Sequence, residues 1–436
     1  MLGFDLGTVL RSDGSVRSAF GLALVVVSLH GCEASLEVDP VVVQTRTSTQ
    51  PKPEAEPSPR TKAKVSGDVS VKVLHHDAWT GSVTLLGIDP EQRQAVVRLE
   101  SHDPPTLSFE TIDLAGKGRV RSWSTTGERA REAIGHPFFS QLGDDFAEDA
   151  GRFATLLHKL GPWHSRGALA SPTFAVGPRP ERFLFGAAAT DGSKGDWLFG
   201  AAFPGASRRL DAGLKASYRP VFDVTGETVA FVGCQTSPCD YGLFLTSFGE
   251  GKPRRVAGIQ GASNPQWHNG SVLTLGTKGK ARCLFRAPKG AGMATALECL
   301  EGVEEAAFTQ DAEGRTAVLS GTRGRAGEQR VDVVWVLLED GSVLAEHTVE
   351  KAVGSSVLSD SGLLALPMQR GSLSVVDLVT GVSAQLGEHD GWFFGFDGAR
   401  WVGDSLILLR KLSDQPGFDV VSVDARTLAQ RNKPWL

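Results

Sequence analysis

Pro220-Val221-Phe222-Asp223-Val224-Thr225-Gly226-Glu227-Thr228-Val229-Ala230-Phe231-Val232 is followed, after a short break, by Tyr241-Gly242-Leu243-Phe244-Leu245-Thr246-Ser247-Phe248-Gly249. The pattern is Pro-x-aromatic, a turn with glycine, an apolar run, then a second apolar run that ends in a glycine turn. Short apolar runs rich in β-branched and aromatic residues, bounded by turn formers, read as buried strands. Two such strands joined by a loop cannot bury both faces alone, so the unit asks for neighbours of its own kind.

Those neighbours are present. Pro172-Thr173-Phe174 leads to Arg182-Phe183-Leu184-Phe185 and Asp196-Trp197-Leu198-Phe199. Pro265-Gln266-Trp267 leads to Val272-Leu273-Thr274-Leu275 and Arg282-Cys283-Leu284-Phe285. Phe308, Val357 and Phe396 each precede two further apolar runs, and a degenerate first copy passes through Leu85-Leu86, Ala95-Val96-Val97 and Leu107 to Leu114. The anchors Phe174, Phe222, Trp267, Phe308, Val357 and Phe396 are spaced by 48, 45, 41, 49 and 39 residues. This repeat resembles the WD40-like repeat of TolB-type β-propellers, although Val224-Thr225 stands where that family usually has Pro-Asp. The spacing suits a four-stranded blade of ~40–50 residues. Leu86 to Phe174 spans 88 residues, one blade plus an insertion.

The expectation is an all-β fold: a single β-propeller of seven four-stranded blades over residues 68–436, with one helical insertion between blades 1 and 2. A pair of sandwich domains does not explain one strand grammar repeated at one period. Glu339-Asp340-Gly341, Thr380-Gly381 and Gly249-Glu250-Gly251 supply turn residues that tolerate positive φ. Leu373 to Gly381 also resembles the repeat of PQQ-type propellers, but no tryptophan follows at that repeat's usual place, and no cofactor is expected. Two arrangements close the ring: alternating Val69, Val71 and Val73 complete the last blade from the N-terminus, or Thr427 to Trp435 supply its outer strand.

The insertion, about residues 127–165, carries the helical pattern. Leu142, Phe146, Ala150, Phe153, Leu157 and Leu160 follow spacings of three and four. Asp144, Asp145, Glu148 and Asp149 crowd its first half, His158-Lys159 its end, and Gly161-Pro162 stops it, as the helix dipole favours. Gly143 and Gly151 each cost about 1 kcal/mol relative to alanine, so tertiary packing must hold the helix. Either the ring covers its apolar stripe or a partner does. Phe138, Phe139 and the four acidic residues are the candidate partner contacts.

Upstream, Arg17-Ser18-Ala19-Phe20-Gly21-Leu22-Ala23-Leu24-Val25-Val26-Val27-Ser28-Leu29-His30-Gly31-Cys32 places a short apolar run behind a basic residue. The run is about half the ~20 residues that span a bilayer, and reads as a cleavable segment. It resembles a bacterial lipoprotein signal peptide over residues 1–31, which implies lipidation of Cys32 as the mature N-terminus. Val9 or Val16 is an alternative start. By the same resemblance, Glu33 after the cysteine favours the outer membrane over inner-membrane retention. Residues 32–67 include Gln50-Pro51-Lys52-Pro53-Glu54-Ala55-Glu56-Pro57-Ser58-Pro59, whose alternating proline and charge favour extended chain and form a disordered tether.

Four cysteines remain beyond Cys32. Cys234 and Cys239 flank a short loop, and Cys283 and Cys299 are symmetric about the turn Pro288-Lys289-Gly290-Ala291-Gly292, which sets them opposite each other on paired strands. An exported protein favours two disulfides, with a four-thiolate zinc site and free thiols as the alternatives. His75-His76-Asp77 is the most metal-like cluster, but neighbours on a strand point to opposite faces, and no metal site is assigned. Asp340, Asp377 and Asp397 read as turn carboxylates. Trp392, Phe393 and Phe394 line a pocket at the mouth or belong to the last blade's core. A net charge of −5 over 436 residues gives no nucleic-acid footprint. The sequence shows no nucleophile elbow and no phosphate loop, and no catalytic residue is assigned. Two functions are left: a monomeric, lipid-anchored envelope scaffold that binds a protein or ligand, or a lyase- or lactonase-like enzyme with a metal in the central channel. The innermost-strand aromatics suggest an apolar channel and favour the scaffold.

Overall fold

The computed structural model describes residues 69–89, 93–127, 130, 175–179, 181–188, 196–205, 207–250, 252–324, 329–352, 356–387, 392–412 and 416–429. Strand β1 is Ser70–Asp77. Blade 1 is β2 (Ser82–Asp89), β3 (Gln94–His102), β4 (Pro105–Asp113) and β5 (Gly118–Thr126). Blade 2 is β6 (Ala175–Val176), β7 (Arg182–Ala188), β8 (Asp196–Ala202) and β9 (Ser207–Arg209). Blade 3 is β10 (Ala216–Phe222), β11 (Thr228–Cys234), β12 (Gly242–Ser247) and β13 (Arg254–Arg255). Blade 4 is β14 (Gln260–His268), β15 (Ser271–Lys278), β16 (Ala281–Pro288) and β17 (Thr295–Leu300). Blade 5 is β18 (Glu305–Gln310), β19 (Thr316–Arg323), β20 (Arg330–Leu337) and β21 (Val343–Glu350). Blade 6 is β22 (Val357–Leu358), β23 (Leu363–Pro367), β24 (Leu373–Asp377) and β25 (Ser383–Leu386). Blade 7 starts with β26 (Trp392–Val402), β27 (Ser405–Leu412) and β28 (Phe418–Asp424).

Each blade is a four-stranded antiparallel sheet in simple chain order, and the seventh is completed by β1 against β28. The pairing runs from Ser70 opposite Asp424 to Asp77 opposite Phe418, with a bulge between Val73 and His75. Of the two closures the sequence allowed, the N-terminal strand is the one the chain uses. At the other end, Arg426–Ala429 is a turn of helix rather than a strand. Closure by hydrogen bonds ties the two ends of the domain into one sheet, with β1 pairing the edge of β28 that closure by packing alone would leave open.

The core lies between blades. Leu184 and Leu198 of blade 2 pack with Val229, Phe231 and Phe244 of blade 3. Val232 and Leu245 pack with Val272 and Phe285, and Leu273 and Leu284 pack with Leu319 and Val334. Val318 and Val333 pack with Leu364 and Val376, and Leu363 and Val375 pack with Leu406 and Val421. Finally Leu409 and Val420 of blade 7 meet Leu85 and Val97 of blade 1. Each of these buried side chains contributes roughly 1.5–3 kcal/mol, and each lies in a cluster shared with a neighbouring blade. That is why the sequence must repeat.

The anchor aromatics belong to these seams and not to the channel, which corrects the expectation of an apolar channel wall. Phe222 packs into the cluster shared with blade 2, Trp267 into that shared with blade 3, and Phe308 into that shared with blade 4. Trp267 Nε1 donates to the carbonyl of Val221 at 3.1 Å. By its pairing with the second strand, the equivalent in blade 7 is Trp401, not Phe396: Trp267 faces Val272 and Trp401 faces Leu406. Trp401 Nε1 likewise donates backwards, to the carbonyl of Val357 at 2.9 Å. Phe394 is buried in the core of blades 6 and 7, so it does not line a mouth. The helical insertion and Phe174 lie outside the described residues.

Candidate functional face

Antiparallel order puts the first-to-second and third-to-fourth strand turns of every blade on one face of the ring. The second-to-third loops and the connections between blades lie on the other. The first face is built from one recurring turn. Asp223 and Asp311 each accept two backbone N–H bonds at its far side, from Glu227 and Thr228 (3.0 and 3.1 Å) and from Arg315 and Thr316 (2.8 and 3.2 Å). Ser359 fills the same place in blade 6, its Oγ accepting from Leu363 N at 2.8 Å. Gly226, Gly314 and Gly362 close these turns at φ of 72°, 67° and 80°, a region costly for any residue with a Cβ. Val224 sits at the tip of its turn, 87% exposed.

Polar links between blades run around this same face. Arg182 of blade 2 donates to the carbonyl of Gly226 at 2.8 Å and pairs with Glu227 at 3.0 Å. Lys289 of blade 4 reaches back to Asp223 at 2.6 Å. Arg286 donates to the carbonyls of Leu338 and Glu339 in blade 5 at 2.6 and 2.8 Å. Asp360 of blade 6 accepts from Ala312 N at 2.8 Å, and Ser361 Oγ donates to Asp404 of blade 7 at 3.0 Å.

Burial pushes the Asp223 carboxyl up. The Lys289 ammonium, Thr228 N, the Thr225 hydroxyl and Glu227 N together outweigh it, so the group sits below its ordinary range. Asp340 and Asp377, candidates for ion binding only by their recurrence, are turn carboxylates. Asp340 Oδ1 accepts from Ser342 N at 2.9 Å, and Asp377 accepts from Val379 N and the Thr380 hydroxyl at 2.9 and 2.8 Å. Gly341 and Gly381 carry the positive φ expected of them, whereas Gly249 does not.

The opposite face carries the variable features. Residues 127–165 leave the ring after Thr126, at the end of β5, and the chain rejoins it before Ala175, at the start of β6. Both points fall on this face, so the insertion is attached here. Phe138, Phe139, Asp144, Asp145, Glu148 and Asp149 lie outside the described residues, as does Cys32. The Cys234–Cys239 loop joins β11 to β12 on the same face, with Cα atoms 5.3 Å apart and the sulfurs bonded in the structure. Beside it, Tyr218 and Tyr241 meet edge to face at 5.2 Å, and burial, then the neighbouring Tyr241, push the Tyr218 hydroxyl up. Cys283 and Cys299 are direct register partners on β16 and β17, with Cα atoms 4.0 Å apart and their sulfurs also bonded. The two pairs sit apart on different strands and do not form one four-sulfur cluster.

On the innermost strands, β10 and β14 each bulge just before the proline. Arg219 and Asn264, the residues before Pro220 and Pro265, hold φ of 51° and 52°, which is strained for both side chains. The bulges set Arg219 Nη1 3.4 Å from Asn264 Oδ1 across the seam, and Gln310 Nε2 donates to Gln266 Oε1 at 3.0 Å across the next. The inner wall at blades 3 to 5 is therefore polar, a feature that a search for aromatic anchors passes over. Arg219 and Asn264 signal it as polar residues before a proline, whereas Gln266 and Gln310 carry no such mark.

His75-His76-Asp77 splits as strand alternation requires. His76 Nδ1 turns to Asp419 Oδ1 at 2.8 Å. His75 and Asp77 take the other side of β1, where Glu110 of β4 joins them. Glu110 is distant in sequence, and nothing in the sequence ties it to the other two.

Strand order and closure define the class: a seven-bladed, all-β propeller of four-stranded blades, closed by its own N-terminal strand. No family model matches the chain, and no curated protein sequence does. Among solved structures it is similar to the β-propeller domain of the Trilobed protease from Pyrococcus furiosus, at 10% identity and a TM-score of 0.41, covering 78% of this chain and 93% of that one. An oligogalacturonate lyase in complex with manganese is similar at 9% identity and a TM-score of 0.46, over 84% of this chain and 100% of that one. TolB from Acinetobacter baumannii is similar at 13% identity and a TM-score of 0.34, over 75% and 80%. At these identities and scores the likenesses say nothing of activity, and the fold assignment rests on the strand pairing itself.

Proposed function

We propose that this protein is a lipid-anchored β-propeller of the bacterial cell envelope, favouring the outer membrane, and that it serves as a non-catalytic scaffold for an envelope protein or ligand. The observation that carries the reading is the join between the sequence and the ring. An apolar run ending in Leu29-His30-Gly31-Cys32 and a proline-rich spacer lead directly into β1, the strand that closes the propeller. The face of inter-blade links uses its side chains to hold the ring. The chain leaves and rejoins the ring for the insertion on the other face, which also carries the Cys234–Cys239 loop, and partners are received there. Cys234–Cys239 and Cys283–Cys299 act as structural disulfides suited to an oxidising compartment.

Fractionation tests the reading. Wild-type chain belongs in the membrane fraction, and Cys32→Ser in the soluble fraction or unprocessed, since stable anchoring requires more than one acyl chain on the mature terminus. A cleaved Cys32→Ser protein that stays with the membrane contradicts it. A partner retained by the full chain and lost on deletion of residues 127–165, with the ring still folded, supports the scaffold role. A partner retained after that deletion places binding elsewhere.

A further inference from the structure

We propose that His75, Asp77 and Glu110 form a binding site for one zinc-class divalent ion, which fastens the ring-closing strand to blade 1. His75 and Asp77 lie two residues apart on β1, on the same side of the strand, and Glu110 rises from β4 of the neighbouring blade. One ligand atom from each lies within 4.8 Å of the others. A point central to three atoms so placed is at most about 2.8 Å from each. Zinc bonds to imidazole nitrogen and carboxylate oxygen are about 2.0–2.2 Å. Closing the site therefore asks each arm to move inward by well under 1 Å, within reach of side-chain torsions.

Glu110 is buried and His75 half-buried, and each turns one buried atom to the site without a hydrogen-bond partner among the described residues. Glu110 is 3% exposed. Its Oε1 accepts from Arg119 Nη1 at 2.6 Å, while Oε2 is buried with no hydrogen-bond partner among the described residues. His75 Nε2 is also buried without one, 4.0 Å from Asp77 Oδ2, too far for a hydrogen bond. Asp77 is oriented by its other oxygen, which accepts from Trp79 N at 2.8 Å. Such outer contacts fix ligands in metal sites. An orphaned buried carboxylate oxygen and an orphaned imidazole nitrogen are each costly, and a cation between them satisfies both at once. Two carboxylates against one arginine leave a net negative charge for it.

One nitrogen and two oxygen donors suit zinc. Calcium and magnesium prefer larger all-oxygen sets. The site lies at the outer seam of blades 7 and 1, away from the channel, and its role is to clamp β1, the strand that follows the proline-rich spacer.

The experiment is zinc titration of the full, tag-free chain in detergent, after chelation and dialysis, by calorimetry and thermal melting. One zinc per chain is expected, with a melting temperature about 3–4 °C higher at zinc a hundredfold above its Kd. His75→Gln and Asp77→Asn should each weaken binding tenfold or more and cut the shift to about half or less at the same zinc concentration, while their zinc-free melting stays close to wild type. Glu110→Gln is a third test, and the other two decide if it does not fold. Cobalt in place of zinc should give the visible absorption of a low-coordinate site in wild type and lose it in His75→Gln. Absence of a zinc-dependent shift, or equal zinc affinity in wild type and both variants, overturns the proposal and assigns the orphaned atoms to water.

Discussion

Asp223→Ala tests how the propeller's turn face holds together. The carboxylate is 4% exposed. It accepts from Glu227 N (3.0 Å), Thr228 N (3.1 Å), the Thr225 hydroxyl (3.0 Å) and Lys289 Nζ (2.6 Å). On truncation, Thr225 and the half-exposed Lys289 reach water, and Glu227 N lies at an exposed position. The half-buried Thr228 N–H bears most of the loss. Hydrogen bonds to a charged acceptor contribute ~1.5–3 kcal/mol each, and the partly exposed ion pair adds no more than ~1 kcal/mol after solvent screening. The total is about 3–4 kcal/mol, a fall in melting temperature of about 4–5 °C for a domain of this size.

Asp223→Asn keeps one acceptor oxygen for the turn and loses the Lys289 attraction, for about 1–2 kcal/mol. The pH dependence has a definite sign. Because the folded carboxyl lies below its ordinary range, its contribution is complete above the unfolded value near 3.9 and is lost as pH falls through the lower folded value. The Asn variant should therefore lose less stability than wild type on acidification below about pH 5. The assay is urea or thermal unfolding at pH 7 and pH 3, with the exposed Val224→Ala as the silent control. An Asp223→Ala protein within 0.5 kcal/mol of wild type (the ~±0.5 expected of an indifferent surface change), or an Asn variant as damaged as the Ala one, refutes the reasoning.

Other outcomes follow from the same architecture. Cys283→Ser/Cys299→Ser should cost ~3 kcal/mol by the chain-entropy estimate for a loop of about 16 residues; non-reduced peptide mapping should find Cys283 with Cys299 and Cys234 with Cys239, and cross-pairing counts against the β16–β17 register. His347 is buried, donates Nε2–H to the Leu378 carbonyl at 2.8 Å, and has Nδ1 without a hydrogen-bond partner. Burial pushes its pKa down against the opposing pulls of Leu378, Asp377 and Glu346. Stability should fall as pH drops below about 6.5, since unfolding frees the ring to take a proton, and His347→Gln should flatten that part of the unfolding curve. In the insertion, Phe146→Ala and Phe153→Ala should each cost ~3–5 kcal/mol if the ring covers the stripe; an unchanged melting temperature with loss of co-purification assigns the cover to a partner.

The propeller was legible because its core lies between blades: a face that must bury against the next copy forces the same apolar run to return every blade, and Val229, Val272 and Leu406 report it directly. The cysteine register was legible for a related reason, since symmetry about a hairpin turn fixes which residues oppose. Less visible was which aromatic occupies the wedge. The irregularity in β26 between Gly395 and Arg400 shifts it by several residues, so Phe396 stood in for Trp401. His75-His76-Asp77 stood out, but Glu110 was not tied to it, because ring closure and not local sequence brings β1 beside β4. Strand alternation correctly separates His75 from His76, but it also rejoins His75 with Asp77, and the third group comes from another blade.

The central claim, a ring held to a membrane through the chain that feeds its closing strand, is tested most directly by mass spectrometry of the N-terminus of the mature protein extracted from membranes. The account predicts a terminal peptide that begins at Cys32 and carries acyl chains on that residue. A mature terminus at any other residue, or an unmodified Cys32 on protein recovered from the soluble fraction, contradicts it.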